Sequence, residues 1–324
     1  MDTGRVPTDR DRNRAPGAAP AAEVGGSPRL PGGADGLVLD LDGVVYRGPL
    51  AVPGSVAAIR RAAARGIGVA YATNNASRTP DQVARHLVEL GIDAAADQVV
   101  TSAQVAADLV RGAVPDGARV LVVGGEGLRQ EVVARGLVPV TSARVHPAAV
   151  VQGFGPDTGW ALLAEAAYAV AAGAVWVAAN VDLTFPTDRG IAPGNGTFVA
   201  AVAHATGCRP LVAGKPGPAL LVAAARLAGR RALVVGDRLD TDIAGARAAG
   251  LASALVLSGV TDADALTQAP PDERPEIVAA DLAGLVDGRW IAVADPAAAS
   301  GAPDVLQDLV RRCRSVWDSG LTAG

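Results

Sequence analysis

Continuous apolar runs recur along the chain at residues 37–39, 67–72, 119–123, 148–152, 174–179, 211–213, 232–235, 254–257 and 277–278. Runs of this kind, rather than alternating ones, predict strands buried on both faces of a parallel sheet. Between them, apolar residues return with helical spacing at about 53–66, 79–90, 102–110, 127–135, 160–172, 218–227 and 243–249. Thr79 followed by Pro80 predicts a helix start, Gly91 a stop, and Thr101 or Ser102 a further N-cap. Strand, helix, strand in that order is a right-handed βαβ unit, so the fold class is a doubly wound parallel α/β sheet.

The pattern divides. Residues 1–34 carry Ala, Pro, Gly and Arg without periodicity and predict a disordered tail. A core domain is expected over 35–113 and 210–285, with a second α/β unit inserted at 114–209 and with 211–213 returning to the core. Beyond 285, a C-terminal extension of residues 286–324 holds Val305, Leu306, Leu309, Val310, Cys313, Val316 and Trp317 at helical spacing, which predicts one amphipathic docking helix.

Composition narrows the function. In a chain of 324 residues, half of them apolar, no uncharged apolar run is long enough to cross a bilayer, which predicts a soluble protein. The charged N-terminus lacks the apolar segment of a secretory signal, so cytoplasmic residence is expected. A net charge of −4 with few aromatics argues against a nucleic-acid partner. Cys208 and Cys313 are too few and too far apart to predict a disulfide framework or a zinc site.

Polar clusters follow four of the apolar runs: Asp40-Leu41-Asp42-Gly43, Thr73-Asn74-Asn75, Gly214-Lys215-Pro216 and Gly236-Asp237-Arg238-Leu239-Asp240-Thr241-Asp242. Ligands of open α/β sheets sit at the carboxyl ends of strands, where all four clusters fall. Asp40 and Asp42, two residues apart in extended chain, point to one side, and two carboxylates at one spot imply a cation.

These clusters, in this order, resemble the four motifs of the haloacid dehalogenase-like (HAD) hydrolases. The resemblance implies a Rossmann-like core with an inserted α/β cap domain, a Mg²⁺ cofactor, and hydrolysis of small phosphomonoesters through an aspartyl-phosphate. Asp40 would be the nucleophile, because an aspartate is ionised at neutral pH without further help. Asp42, crowded by other carboxylates, would act as general acid and then general base. The metal ligands it implies are Asp40, the carbonyl of Asp42, and Asp237, with Asp242 holding metal-bound water. Lys215 would supply charge, Thr73, Asn74 and Asn75 would donate to phosphate oxygens, and Gly43 would leave room for an N–H at the phosphate.

An insert between the second and third motifs resembles the capped subfamily that includes nucleotide, pyridoxal-phosphate and phosphoglycolate phosphatases. The segments 73–80, 190–196 and 236–243 carry that likeness, while 151–153, 158–160 and 176–182 are similar to its glycerol 3-phosphate phosphatases. Glycerol 3-phosphate is therefore the leading substrate, with nucleotides, sugar phosphates, phosphoglycolate and pyridoxal 5′-phosphate as alternatives, and a non-catalytic phosphate- or partner-binding module as the remote rival. Phe185 stands before Pro186 where pyridoxal-phosphate phosphatases carry a histidine. The loop over 180–196 is expected to face the substrate through Asp182, Phe185, Thr187, Asp188 and Arg189. Caps of this subfamily imply a homodimer.

Overall fold

The computed structural model describes residues 1, 30–187, 189–295 and 301–319. The proposed tail therefore lies outside the described residues, apart from its two ends. Leu30 is buried and opens a short turn of 3₁₀ helix at Pro31–Gly33.

Seven strands form the larger sheet, in the order Trp290–Ala292, Ile277–Ala279, Ala252–Val256, Ala232–Gly236, Gly36–Leu39, Gly68–Thr73 and Val99–Thr101. Leu37, Val38 and Leu39 are wholly buried at its centre, each contributing roughly 1.5–3 kcal/mol. Leu39 pairs with Val235 on one side and Tyr71 on the other, both in parallel register. That register brings Asp40, Thr73 and Asp237 to the same carboxyl edge of the sheet.

The helices begin where their caps predict. Thr79 accepts from the Gln82 N–H while Gln82 answers the Thr79 N–H, and Thr101 and Gln104 repeat the arrangement. The helix Ser102–Ala113 leads into a second, five-stranded parallel sheet in the order Leu211–Val212, Val175–Ala178, Ala149–Gln152, Arg119–Val123, Val138–Val140. The two sheets share one apolar cluster, in which Val38, Ala70 and Val234 join Val120, Val151 and Val177 through Ala106 and Val110.

Several features depart from the reading of the pattern. Leu211–Val212 pairs with Val175–Ala178 at the edge of the second sheet, and the chain re-enters the core only afterwards. The core sheet gains Val99–Thr101 at one edge and the antiparallel Trp290–Ala292 at the other. Thr184–Thr187 and Gly190–Pro193 are not open loop but the two strands of an antiparallel hairpin, followed by the helix Asn195–Thr206.

The docking helix is Asp304–Asp318, which buries Leu306, Leu309, Val310 and Cys313. They pack with Leu239 and Ile243 in one cluster. The Trp317 indole N–H donates to the Thr267 carbonyl at 3.0 Å, and the Arg274 guanidinium lies 4.8 Å from its ring centre.

Candidate active site

At the carboxyl edge of the central strands lies a cavity of about 680 Å³. Asp40, Asp42, Gly43, Thr73, Asn74, Asn75, Lys215, Asp237 and Asp242 all line it from the core. The four sequence clusters thus converge on one place. From the inserted domain, Asp182 and Phe185 reach the same cavity. Arg189 does not: it sits exposed at the turn of the hairpin and is absent from the lining. Asp188 lies outside the described residues.

Lys215 is 3% exposed and bonds the carboxylates of Asp40 and, at 2.6 Å, Asp242. Burial alone would lower its pKa, but Asp242 and Asp40 overcome that and hold the ammonium protonated. The second oxygen of Asp242 accepts the Arg238 N–H at 3.1 Å, so both of its oxygens are engaged. Asp237 accepts the Val260 N–H at 2.7 Å through one oxygen.

Asp40, Asp237 and Asp242 bring carboxylate oxygens within 4.8 Å of one another. Three acids against one ammonium leave an excess of about two negative charges in the pocket. Burial and the neighbouring acids push the Asp40 carboxyl well above its usual range against the pull of Lys215. Burial, with Asp242, raises that of Asp237 to about 6. A hard-oxygen donor set lacking two positive charges fits Mg²⁺, which takes a few carboxylates and completes its shell with water and phosphate oxygens.

Asp42 stands at the mouth, where solvent reaches it. The cavity walls nevertheless raise its carboxyl, with the Gly48 backbone, Arg78, His86 and Lys215 pulling the other way. Its chain neighbour Gly43 has φ +85° and packs its Cα against the Asp237 carboxylate, so a side chain here would displace that acid. The Gly43 N–H is already donated to the Tyr46 carbonyl at 2.8 Å. This glycine therefore makes room for a carboxylate rather than presenting its own N–H to phosphate.

Asn74 is an organiser. Its side-chain oxygen accepts the Lys215 N–H at 2.8 Å, and its amide group donates to the Lys215 carbonyl at 3.0 Å. The same amide lies 3.3 Å from both oxygens of Asp182, whose carboxyl burial pushes up. The Asn74 carbonyl accepts from Asn180 and Ser102, each at 2.7 Å. Thr73 Oγ1 takes the Asn75 N–H at 3.1 Å, and the Asn75 side chain caps Ser77 at 2.8 Å. Thr73 and Asn75 both line the cavity, where the Thr73 hydroxyl and the Asn75 amide group can donate to a phosphate.

Further lining residues given no role from the sequence are Arg47 and Phe154, Thr184 and Asn195 of the 180–196 segment, and Arg238 and Thr241 of the fourth cluster. Phe154 and Phe185 meet edge to face, ring centres 4.9 Å apart. Asn180 and Asn195 carried a signal in hindsight, since each is an amide residue directly following an apolar strand or opening a helix at the sheet's carboxyl edge.

Comparison with known proteins agrees with this geometry. The haloacid dehalogenase-like hydrolase family model matches residues 37–138, and a second HAD-hydrolase-like model matches 212–285. The chain is 53% identical over 262 residues to the D-glycerol 3-phosphate phosphatase of Mycobacterium tuberculosis, spanning 80% of this chain and 73% of that protein. It is 36% identical over 227 residues to the acid sugar phosphatase of Staphylococcus aureus, spanning 69% of this chain and 86% of that one. Among solved structures, a glycerol phosphate phosphatase of M. tuberculosis in complex with magnesium superposes with a TM-score of 0.79 at 47% identity, covering 88% of this chain and 90% of that one. A 4-nitrophenylphosphatase of Thermotoga maritima gives 0.72 at 29% identity, covering 78% and 96%.

Proposed function

The chain belongs to the haloacid dehalogenase-like hydrolases, and from that membership we propose a Mg²⁺-dependent phosphatase of small phosphorylated metabolites with glycerol 3-phosphate as its leading substrate. One observation carries the reading. Two buried carboxylates, the half-buried Asp40 and Lys215 face each other within one cavity, beside a fourth carboxylate at its mouth.

Asp40 attacks phosphorus through a carboxylate oxygen, forming an aspartyl-phosphate as the ester P–O bond breaks. Asp42, whose carboxyl is raised, gives its proton to the departing alkoxide oxygen. It then takes a proton from a water whose oxygen attacks the same phosphorus; the bond to Asp40 breaks, and phosphate leaves. Lys215 balances charge on Asp40 and Asp242 throughout. Asp40, Asp237 and the Asp42 carbonyl would hold Mg²⁺, with Asp242 behind them, and the ion supplies neutralisation of the phosphoryl oxygens. Thr73 donates to a phosphate oxygen, while Asn74 fixes Lys215 and Asp182.

Support for glycerol 3-phosphate comes from the identity to the mycobacterial enzyme, and Phe185 in the cap disfavours pyridoxal 5′-phosphate. We further propose a core over 35–113 and 210–285, a cap over 114–209 and an extension from 286, with copies pairing through the cap. Trp160 and Tyr168 there remain 79% and 59% exposed on one helix. No helix of the described residues is long and apolar enough to cross a membrane. Cytoplasmic residence is part of the proposal, since doubly charged phosphomonoesters do not cross bilayers.

Phosphate release with Mg²⁺ tests the reading across glycerol 3-phosphate, phosphoglycolate, pyridoxal 5′-phosphate, nucleoside monophosphates and sugar phosphates, with an EDTA control. The proposal expects kcat/KM to be highest for glycerol 3-phosphate and lost in EDTA. A flat profile removes the substrate, and no release from any compound removes the phosphatase.

A further inference from the structure

Among the described residues, Lys215, Arg238 and Arg47 are the cations that line the cavity. Lys215 is bound by Asp40 and Asp242, and the Arg238 fork is taken by Asp240 at 3.1 and 2.8 Å. The Arg47 guanidinium, by contrast, has no acid, carbonyl or ring as a partner among the described residues. Acids of the wall are engaged elsewhere: Asp237 accepts the Val260 N–H at 2.7 Å, and Asp182 lies 3.3 Å from the Asn74 amide nitrogen.

The hairpin that carries Arg47 is pinned to the turn that carries Asp42. Tyr46–Arg47 pairs with Leu50–Ala51. The Tyr46 N–H donates to the Leu41 carbonyl at 3.0 Å, and the Tyr46 carbonyl accepts the Gly43 N–H at 2.8 Å. Its ring is buried and meets that of His86 edge to face, centres 5.1 Å apart. Side chains alternate along a strand, so Arg47 turns the other way, exposed at the cavity mouth. The backbone of Gly48, next in the chain, acts on the Asp42 carboxylate, which keeps Arg47 beside the group that protonates the leaving oxygen.

Resting on the phosphatase reading, we infer that Arg47 is a specificity-determining residue whose guanidinium binds the polar end of the leaving group, a polyol hydroxyl or a carboxylate. The carbons beyond the leaving oxygen pass Asp42 and therefore the hairpin. A guanidinium has only donors, in a rigid fork, and suits the oxygen of either group. Phe154 and Phe185, which line the cavity from the cap, meet each other edge to face and offer ring surface instead. An alkyl leaving group that carries no oxygen gains nothing from Arg47.

The test compares kcat/KM for glycerol 3-phosphate and propyl phosphate, whose carbon chains match and which differ in the hydroxyls, in wild type, Arg47→Ala and Arg47→Lys. Reading the ratio within each protein cancels any effect on phosphate or on Asp42, which both compounds share. Arg47→Ala loses a hydrogen bond from a charged donor and is expected to lower the glycerol 3-phosphate to propyl phosphate ratio about tenfold, chiefly through KM. Arg47→Lys keeps a charged donor and is expected to stay within about threefold of the wild-type ratio. The inference falls if Arg47→Ala leaves the ratio unchanged, or if Arg47→Lys lowers it as far as Arg47→Ala does. Failure of the phosphatase reading looks different: wild type would then release phosphate from neither compound.

Discussion

Removing the metal should expose a pH dependence built into the three-carboxylate cluster. Asp237 carries its carboxyl at about 6 instead of 3.8 in the metal-free protein. A proton and Mg²⁺ compete for it, so only about one molecule in eleven offers the ionised form at about pH 5, against nearly all at about pH 7.5. Mg²⁺ affinity is therefore expected to be about tenfold weaker at the lower pH, and Asp40, shifted in the same direction, steepens the change.

Stability of the metal-free protein runs the opposite way with pH. A carboxyl raised on folding stabilises fully below its unfolded value and loses that contribution as pH rises through the folded one. From 3.8 to about 6, at about 1.4 kcal/mol per pH unit, the swing is about 3 kcal/mol. Calorimetric titration of EDTA-stripped enzyme with MgCl₂ at about pH 5, 6 and 7.5 reads the affinity directly, and urea unfolding in EDTA reads the stability. An affinity that stays constant, or tightens as pH falls, would refute the crowding of carboxylates as the origin of metal binding.

Other perturbations separate the roles. Lys215→Met leaves Asp40 and the buried Asp242 without their cation, and urea unfolding in EDTA is expected to show a loss of about 3–5 kcal/mol, with kcat down at least about a hundredfold. Asp42→Asn is expected to lower kcat about 10²–10⁴-fold with glycerol 3-phosphate, and far less with p-nitrophenyl phosphate, whose leaving group needs no proton; equal losses would remove Asp42 as the acid. Asn180→Ala takes a 2.7 Å donor from the Asn74 carbonyl and should cost about 1–3 kcal/mol in urea unfolding.

Much of this site is legible in the sequence because parallel strands announce themselves. Leu37 to Leu39 and Ala232 to Val235 are apolar without interruption, and the carboxylates that follow them can only sit at the sheet's carboxyl edge. Caps were equally plain, as Thr79 and Thr101 each have a glutamine three residues on.

What the pattern hid has a physical reason in each case. The helix Asn195–Thr206 is apolar nearly all round, with Ala at 200, 201, 203 and 205, so it shows no polar face to mark its period. Val99–Thr101 and Trp290–Ala292 are three residues each, too short to read as strands without the neighbour they pair with. Leu211–Val212 is an apolar pair whose choice of sheet depends on Val175–Ala178 being beside it. Residue type alone likewise did not tell that Gly43 yields space to Asp237, or that Asn74 spends its amide on Lys215 and Asp182 instead of phosphate. Partners of that kind are set by contacts more than a hundred residues away.

Asp40 as nucleophile is the claim on which the rest depends. Its most direct test is acid-quenched mass spectrometry of the enzyme during turnover of glycerol 3-phosphate with Mg²⁺, set beside phosphate release by Asp40→Asn. The account predicts phosphate on the peptide that contains Asp40, none in EDTA, and no turnover by the variant. An Asp40→Asn protein that still released phosphate at more than a few per cent of the wild-type rate, or a phosphate carried on another residue, would contradict it.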